Sequence, residues 1–316
     1  MASDSVSRRT LSRKLGSPFD AMENLIALTN LNPNSPSTSF SSRLWRPAAQ
    51  RIIRNQWSKL LFAKDRWLSA ISEGRAHATF LVNAYLSRRY LPHMDMGVLK
   101  GMSGIQENAC EKLTRKQELY CEKLLSSYKD MVGVVSDLVK VSKSMRCFIK
   151  GSACNNLIQF SDVSGDISDP GDGEGIPVFA HFSILEFENL AQEIVEMYAS
   201  ELSLKRLIVV ELLSLNEQEA IGEQINDPSW QTELYLGEFD NLQMIGLLSG
   251  EDFLPLLPRL KNWKSNDYFV ERPCHKKTSE VLQVYLTIWL AEVNININRV
   301  DEIFSIIEDE IQIKLS

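Results

Sequence analysis

One stretch without glycine or proline, residues 182–215, constrains the fold of this chain more than any other part of the sequence. It begins with Ser183 and Glu186, the pattern of a capping box, in which each side chain satisfies a backbone N–H group at a helix start. Phe182 and Phe187 flank this start at the spacing of a hydrophobic staple. Apolar residues then recur at steps of three and four, the period of one helix face. The stretch therefore predicts a helix about 50 Å long whose apolar face must cover another helix.

Two more amphipathic patterns precede this stretch, at 47–90 and 105–150. Each keeps steps of three and four residues over many turns, with charged residues outside the apolar stripe, as in coiled-coil packing. The first pattern begins at Pro47, which suits a first helical position, and must end before Pro92, because proline disfavours helical geometry in the residue before it. A short connection predicts that the two helices form an antiparallel hairpin. Gly74 occupies a seam position and is expected to weaken the first helix locally.

The segments between these helices are rich in glycine, proline, serine or acidic residues, and they divide the chain. We predict an all-α fold, an elongated helical bundle built on a coiled-coil-like hairpin, with an apolar stripe that the chain buries only in part. Two further helices are predicted at 279–292 and 299–313, and the alternating Val/Ile and Asn between them suit either a short strand or an extended link. The predicted order is a disordered basic tail at 1–46, the helical hairpin at 47–150, a disordered acidic linker at 151–176, the core helix segment at 177–215, an irregular insert at 216–278 and C-terminal helices at 279–316.

Charge and composition exclude several kinds of function. The net charge of −7 over 316 residues argues against direct nucleic-acid binding by the chain as a whole. No apolar run approaches the roughly 20 residues that cross a bilayer, so no membrane span is expected. The five cysteines and four histidines lack zinc-ligand spacing, and the sequence has no phosphate-binding glycine loop and no nucleophile elbow. We therefore predict no cofactor, no metal site and no catalytic residue, and we expect reduced cysteines.

The basic tail carries two short patterns that suit regulation. Arg8, Arg9 and Leu11 have the R-x-L form by which substrates dock on a cyclin, and Ser17 and Ser35 each precede a proline, as phosphoacceptors of proline-directed kinases do. Docking would raise the local concentration of the phosphoacceptor at the kinase. The same composition also suits a nuclear-import patch, a mitochondrial transit peptide or a plain solvated tail. These alternatives stay open.

Two blocks of residues carry a family resemblance. The first is P-x-F-x-x-[FW] from Pro177 to Phe182, followed by E-M-Y-x-x-E-L-x-L-K-R from Glu196 onward. The second is Y-L-x-x-W-L at 285–290. Together they resemble the cyclin-dependent kinase 2-interacting protein family over roughly half of the chain. In that family only a short connection separates the blocks. The long segment 216–278 is therefore either a lineage-specific loop or a gene-model error. If it is an error, the helix at 182–215 would run almost directly into the helix at 279–292 and form a hairpin with it.

The resemblance implies a non-enzymatic adaptor. Its expected partners are cyclin–kinase complexes of the cell cycle and the replication checkpoint, a AAA-type ATPase assembly and a second small helical subunit, so we expect a hetero-oligomer. The expected roles are in DNA replication, genome maintenance and maturation of the large ribosomal subunit, in the nucleus and also in the cytoplasm. The residues that the resemblance assigns to partner binding are Glu196, Met197, Tyr198, Glu201, Leu204, Lys205, Arg206, Tyr285 and Trp289.

The same residues also have a plainer interpretation. The apolar ones would equally be core residues of the bundle, and Glu201 and Lys205 are placed for an intrahelical i,i+4 salt bridge. Two other classes of function stay open as well. A structural coiled-coil tether of another multiprotein complex would self-associate through the 105–150 helix. An enzyme would need a pocket with paired titratable groups, which the sequence does not show.

Overall fold

The computed structural model describes residues 38–152, 155–158, 171–216, 230–258 and 277–315. The chain divides into two units, Met1–Ser42 and Arg43–Ser316. The tail patterns at Arg8, Arg9, Leu11, Ser17 and Ser35 lie outside the described residues. Among the described residues, no helix combines the length and the hydropathy that crossing a membrane requires.

Helices dominate the described ranges, which confirms the predicted all-α class. The helices are α1 (Thr38–Tyr90), α2 (Ile105–Lys143), α3 (Ile184–Leu213), α4 (Glu238–Ile245), α5 (Ser279–Ala291) and α6 (Ile297–Ile311). A small antiparallel hairpin of β1 (Ile149–Ser152) and β2 (Asn155–Ile158) follows α2, with Ile149 opposite Ile158. Short 3-10 turns lie at Leu91–His93, Gly97–Gly101 and Gly173–Gly175.

Helix α1 begins well before Pro47, so the predicted start is wrong, and residues 38–46 belong to the helix rather than to the tail. Proline removes one helical N–H, but side chains beside it make long-range contacts that hold the helix in place. The buried Trp45 indole donates to the Cys147 carbonyl at 3.0 Å. Arg46 Nε donates to the Val178 carbonyl, also at 3.0 Å. Tertiary contacts therefore override the local signal. The predicted end, just before Leu91-Pro92, is confirmed.

Helices α1 and α2 form the predicted antiparallel hairpin. Near its middle, Arg66 pairs with Asp137 at 2.7 Å. Farther from the turn, Gln56 Nε2 donates to the Ser144 carbonyl at 3.3 Å. Going away from the turn, residue numbers fall along α1 and rise along the facing α2, so the two helices are antiparallel.

The chain leaves helical geometry after Lys143, so the predicted continuation of this helix to 150 is wrong. The prediction of a disordered linker is also wrong where the structure describes it, because the Cys147 N–H donates to the Gly171 carbonyl at 2.9 Å. Gly173 has φ +69°, and a Cβ on it would overlap the Trp45 ring. Glycine in this acidic stretch therefore permits close packing at the end of the hairpin. Residues 153–154 and 159–170 of the predicted linker lie outside the description.

Helix α3 begins as its sequence predicts. The Ser183 N–H donates to the Glu186 carboxylate at 2.6 Å within a complete capping box. The Phe182 and Phe187 rings meet edge to face with centroids 5.7 Å apart, which is the predicted staple. An unpredicted contact supports the same start, because the Phe182 N–H also donates to Glu310 of α6 at 2.9 Å.

Helix α3 lies parallel to α1 and therefore antiparallel to α2. The Arg54 guanidinium lies over the Phe179 ring just before α3, 5.0 Å from its centroid. Farther along both helices, the Trp67 and Tyr198 rings meet edge to face at 5.2 Å. The three long helices are thus the frame on which the rest of the chain packs.

Two segments cover the grooves of this frame. Helices α5 and α6 cover the groove between α1 and α3, where Trp57 and Phe304 meet edge to face at 5.8 Å. The segment 230–258 covers the groove between α2 and α3, and Ser203 Oγ donates to its Leu256 carbonyl at 3.0 Å. The apolar stripe of α1 is consequently buried, so for this helix the expectation of a partly open stripe is wrong. The buried stripe comprises Ile53, Trp57, Leu60, Trp67, Ile71, Ala78, Leu81 and Tyr85.

The C-terminal helices lie within two residues of their predicted bounds. The alternating residues between them form neither a strand nor an extended link. Instead, the chain turns after α5, and the Asn296 side chain caps α6 by accepting from the Arg299 N–H at 3.1 Å. Asparagine is a favoured N-cap because its side-chain oxygen satisfies a free N–H of the first turn.

Gly74, which was predicted to weaken α1 locally, is also a contact point. A Cβ at this position would lie 2.5 Å from Cζ2 of the buried Trp289 ring. We expect Gly74→Ala to lower the free energy of unfolding by about 1–3 kcal/mol through overpacking, although alanine alone favours a helix by roughly 1 kcal/mol. Urea denaturation of the purified protein measures the change.

Gly133 of α2 is the matched control, because a Cβ there would meet nothing within 4 Å. Gly133→Ala should raise the free energy of unfolding by about 0.5–1 kcal/mol, since only helix propensity changes. Opposite signs at the two glycines are the expected result. A stabilising effect at both positions would contradict the packing of Trp289 on α1.

Candidate functional site

Two adjacent cations of α3, Lys205 and Arg206, lie in the protein core with only 0% and 1% of their surface exposed. A buried charge is costly unless it is paired and hydrogen-bonded. Successive side chains on a helix point about 100° apart at 3.6 residues per turn, so the two cations reach different neighbours. Arg206 binds the segment 230–258, and Lys205 binds the C-terminal helices.

Arg206 holds the insert segment through a bidentate ion pair. Its Nε lies 2.8 Å from Oε1 of Glu238, and its Nη2 lies 3.2 Å from Oε2. The remaining donors reach the carbonyls of Trp230 and Thr232 at 2.9 and 2.8 Å. The Trp230 ring also stacks on the guanidinium, with 4.7 Å to its centroid. Such a planar, bidentate arrangement suits arginine and could not be reproduced by lysine.

Glu238, the first residue of α4, joins three helices at one carboxylate. Besides Arg206 of α3, it accepts from the Tyr128 hydroxyl of α2 at 2.7 Å and from the Leu234 N–H at 2.7 Å. Burial, and then the negative charge of Glu238, raise the pKa of Tyr128 well above its ordinary value. Tyr128 therefore remains a hydrogen-bond donor, and the carboxylate is fully surrounded by donors.

Lys205 anchors the end of α5. Its Nζ pairs with Glu201 at 2.5 Å and donates to the Trp289 carbonyl at 2.7 Å. That carbonyl is one of the last four in α5, which have no partner within the helix. Glu201 in turn accepts from the Asn294 N–H at 2.9 Å. Burial lowers the pKa of Lys205, and the Glu201 carboxylate opposes this shift.

Trp289 connects the same helix to α1. Its indole N–H donates to the Ile71 carbonyl at 3.1 Å, and its ring lies 5.4 Å from Lys205 Nζ. Trp289 therefore packs between α1 and α3. Tyr285 of the same helix is half-buried, and its hydroxyl donates to Glu211 of α3 at 3.3 Å.

The residues assigned by resemblance to partner binding are mostly internal. Five of them are buried in this fold, so their assignment to partner binding stays a prediction, and the predicted Glu201–Lys205 salt bridge is confirmed. Their role here is to hold the fold together. The buried five are Tyr198, Glu201, Lys205, Arg206 and Trp289, the half-buried ones are Met197, Leu204 and Tyr285, and Glu196 is exposed.

Sequence reasoning missed Glu238 and Tyr128, which complete the site. Their hydrogen bond joins residues 110 positions apart, and a contact at that distance along the chain leaves no periodic pattern in the sequence. One signal was present, since Lys205-Arg206 stands within an otherwise apolar run of α3. Cations in such a position need buried acceptors from elsewhere in the chain.

A different kind of feature lies at the connection between α1 and α2. Five large apolar side chains there are exposed, and Val98 is 97% exposed. We call these residues the turn surface: Tyr90, Met94, Val98, Leu99 and Met102.

Hydrogen bonds fix the backbone of the turn surface. The Leu99 N–H donates to the Met96 carbonyl at 2.9 Å, and the Met102 N–H donates to the Leu99 carbonyl at 2.9 Å. The Asp95 side chain accepts from the Gly97 N–H at 3.1 Å. An ordered backbone thus presents apolar side chains to solvent.

The described ranges contain no group of three or more His, Cys, Asp or Glu side chains that could hold a metal ion. Within these ranges, Cys110, Cys121 and Cys147 are thiols rather than halves of a disulfide. No family model and no curated protein matches the chain. The family resemblance of the two sequence blocks stays a prediction.

Proposed function

We propose that this protein is a non-enzymatic adaptor that binds cyclin–kinase complexes of the cell cycle and replication checkpoint, and a AAA-type ATPase assembly with its second small helical subunit. The proposed roles are DNA replication, genome maintenance and maturation of the large ribosomal subunit, in the nucleus and also in the cytoplasm. The resemblance of the two sequence blocks implies these partners. The turn surface is where we propose that one of them binds.

The exposure of the turn surface is the observation that carries the proposal. Contiguous groups of exposed apolar side chains on soluble proteins often mark the sites where partners bind. The hydrogen bonds of the turn reduce the conformational entropy that binding would otherwise remove. An adaptor of this kind would present the turn surface to a groove on its partner while the helical frame keeps its shape.

The burial of the family-like residues fits the same proposal. Lys205 and Arg206 hold both covering segments onto the frame. The family-like sequence around them therefore reflects how the core is packed. Partners would then contact the surface that this architecture displays. In addition to the turn surface, the half-buried Met197 and the exposed Glu196 remain candidate contacts for a partner.

The structural tether is the weaker candidate. It requires self-association through the 105–150 helix, but the seam of α2 is already buried by other parts of the same chain. The seam residues with no more than 1% exposure are Leu124, Tyr128, Met131, Val135 and Leu138.

Changing Met94, Val98 and Met102 together to Ser should remove most of the binding. A loss of only about 1.4 kcal/mol of binding free energy weakens an affinity tenfold. We therefore expect at least about a tenfold lower recovery of cyclin–kinase and AAA-type ATPase subunits from nuclear extract, quantified by mass spectrometry.

The matched control changes Phe62 and Leu68, two exposed apolar residues of α1, to Ser. This variant should recover the same partners as the unchanged chain, and both variants should keep a cooperative unfolding transition. Equal recovery with the turn-surface variant would remove the turn surface from the proposal. Absence of both partner classes from the unchanged chain's eluate would overturn the proposed function itself.

A further inference from the structure

The segment 230–258 carries a second exposed apolar feature, and all of its charged residues are acidic. It contains no lysine or arginine. Arg206 neutralises only the buried carboxylate of Glu238. The exposed acidic residues of the segment are Glu233, Asp240, Glu251 and Asp252.

A tight turn in this segment holds Phe253 in an unusual position. Phe253 has φ +51°, in the left-handed region, and its side chain is 58% exposed. Bulky side chains rarely adopt this backbone conformation, because Cβ approaches the carbonyl oxygen. Phe253 therefore combines an unfavourable backbone conformation with an aromatic ring exposed to water.

The surrounding hydrogen bonds impose this conformation. The Ser249 N–H donates to the Leu254 carbonyl at 2.8 Å, and the Leu254 N–H donates to Ser249 Oγ at 3.3 Å. Below the turn, Trp230 Nε1 donates to the Pro255 carbonyl at 2.7 Å. The same Trp230 ring stacks on Arg206, so the turn is fixed to the core of the protein.

Exposed side chains on both sides of Phe253 extend the feature. Glu251 and Asp252 precede it and are exposed, and Leu256 and Leu257 follow it and are exposed in part. We call residues 249–257 the Phe253 turn. Along the chain, Phe253 thus stands between two exposed acidic residues and two partly exposed leucines.

We propose that the Phe253 turn is a docking site for a basic amphipathic segment of a partner protein. An apolar side chain of that segment would pack on Phe253 and the neighbouring leucines. Its lysine or arginine side chains would meet Glu251 and Asp252, whose charge would also speed the encounter. A nucleic-acid phosphate would be repelled by the same carboxylates, so the charge selects a cationic peptide.

The strain at Phe253 supports a binding role over a structural one. Strained residues persist where the surrounding structure holds them, and they concentrate at sites of function. A residue retained for folding would be expected to have a relaxed backbone and a buried ring. Phe253 has neither, and glycine at this position would remove the strain.

Fluorescence anisotropy of a labelled peptide tests the proposal with the full chain. The probe is a helical peptide of leucine and lysine, and a peptide with glutamate in place of lysine is its control. The lysine peptide should bind, and the glutamate peptide should not. Phe253→Gly should weaken binding by about tenfold or more, the effect of losing one well-packed aromatic contact.

The same variant should unfold at a temperature a few degrees higher, because the left-handed conformation suits glycine. Phe62→Ala, a change at an exposed phenylalanine of α1, should leave peptide binding unchanged. Weaker binding together with higher stability separates a docking residue from a structural one. Unchanged binding by Phe253→Gly, or no binding of the lysine peptide at all, would overturn the proposal.

Two charge variants complete the test. Glu251→Gln with Asp252→Asn should weaken binding and reduce its dependence on salt. Glu122→Gln with Asp130→Asn makes the same change in net charge on the exposed face of α2 and should leave binding as it was. Equal weakening by both pairs would show general attraction to an acidic protein and would overturn the site. The turn-surface variant should bind the peptide normally, which keeps this site independent of the proposed function.

Discussion

Replacing Arg206 with methionine is expected to lower the free energy of unfolding by about 3–5 kcal/mol, because Glu238 would stay buried without its cation. Tyr128 and the Leu234 N–H would still donate to that carboxylate, but neither carries a charge. The carbonyls of Trp230 and Thr232 would lose their donors as well. Urea denaturation, monitored by circular dichroism, measures the loss.

A second change distinguishes a broken pair from a lost contact. Adding Glu238→Leu to Arg206→Met removes both charges, and the double variant should recover a large part of the stability. Arg115→Met is the surface control, since Arg115 pairs with Glu111 in solvent and such pairs contribute little. An Arg206 variant no less stable than the Arg115 variant would show that the buried pair has no structural role.

Trp289→Ala should have an effect of similar size, about 3–5 kcal/mol, because the fully buried indole fills the space above Gly74. The Ile71 carbonyl would also lose its indole donor. Leu290→Ala changes an exposed residue of the same helix and should have a small effect. Thermal unfolding of the three proteins compares them directly, and equal midpoints for the two variants would contradict the burial of Trp289.

The Gly74 contact provides a stricter test of the same packing. Gly74→Ala should destabilise the unchanged chain but stabilise the Trp289→Ala variant, because the new methyl group then enters an empty space. Such a reversal of sign arises only when the two residues are in contact. Additive effects would place the indole away from α1.

Local sequence signals were sufficient for features that are local in the structure. The start of α3 depends on Ser183 and Glu186, three positions apart, and the end of α1 depends on Pro92. In both cases the residues that determine the boundary lie within one helical turn of it. The bounds of α5 and α6 were predictable for the same reason.

Features set by distant contacts were not predictable. The extension of α1 before Pro47 is held by Trp45, whose partner Cys147 lies 102 positions away. Helical periodicity also identifies which face of α3 is apolar, but it cannot show that Lys205 and Arg206 lie inside. Their burial depends on acceptors supplied by separate segments, and only the tertiary fold brings these together.

The segment 216–278 was predicted to be an irregular insert, and the described residues 230–258 consist of turns and loop apart from the eight-residue helix α4, which carries the buried Glu238. The hypothesis of a gene-model error stays a prediction, but it has a physical cost. A chain without the segment would lose both the cover of the groove between α2 and α3 and the carboxylate that pairs with Arg206.

The groove between α1 and α3 has a consequence for how the chain is made. Its cover, α5 and α6, is translated after both helices that it protects, and Trp57 and Trp67 remain uncovered until then. A nascent chain that has reached α3 thus exposes aromatic surface while it is still attached to the ribosome. Such surface attracts chaperones and other unfinished chains. Completion of α6, rather than formation of the long helices, is the step that covers this aromatic surface.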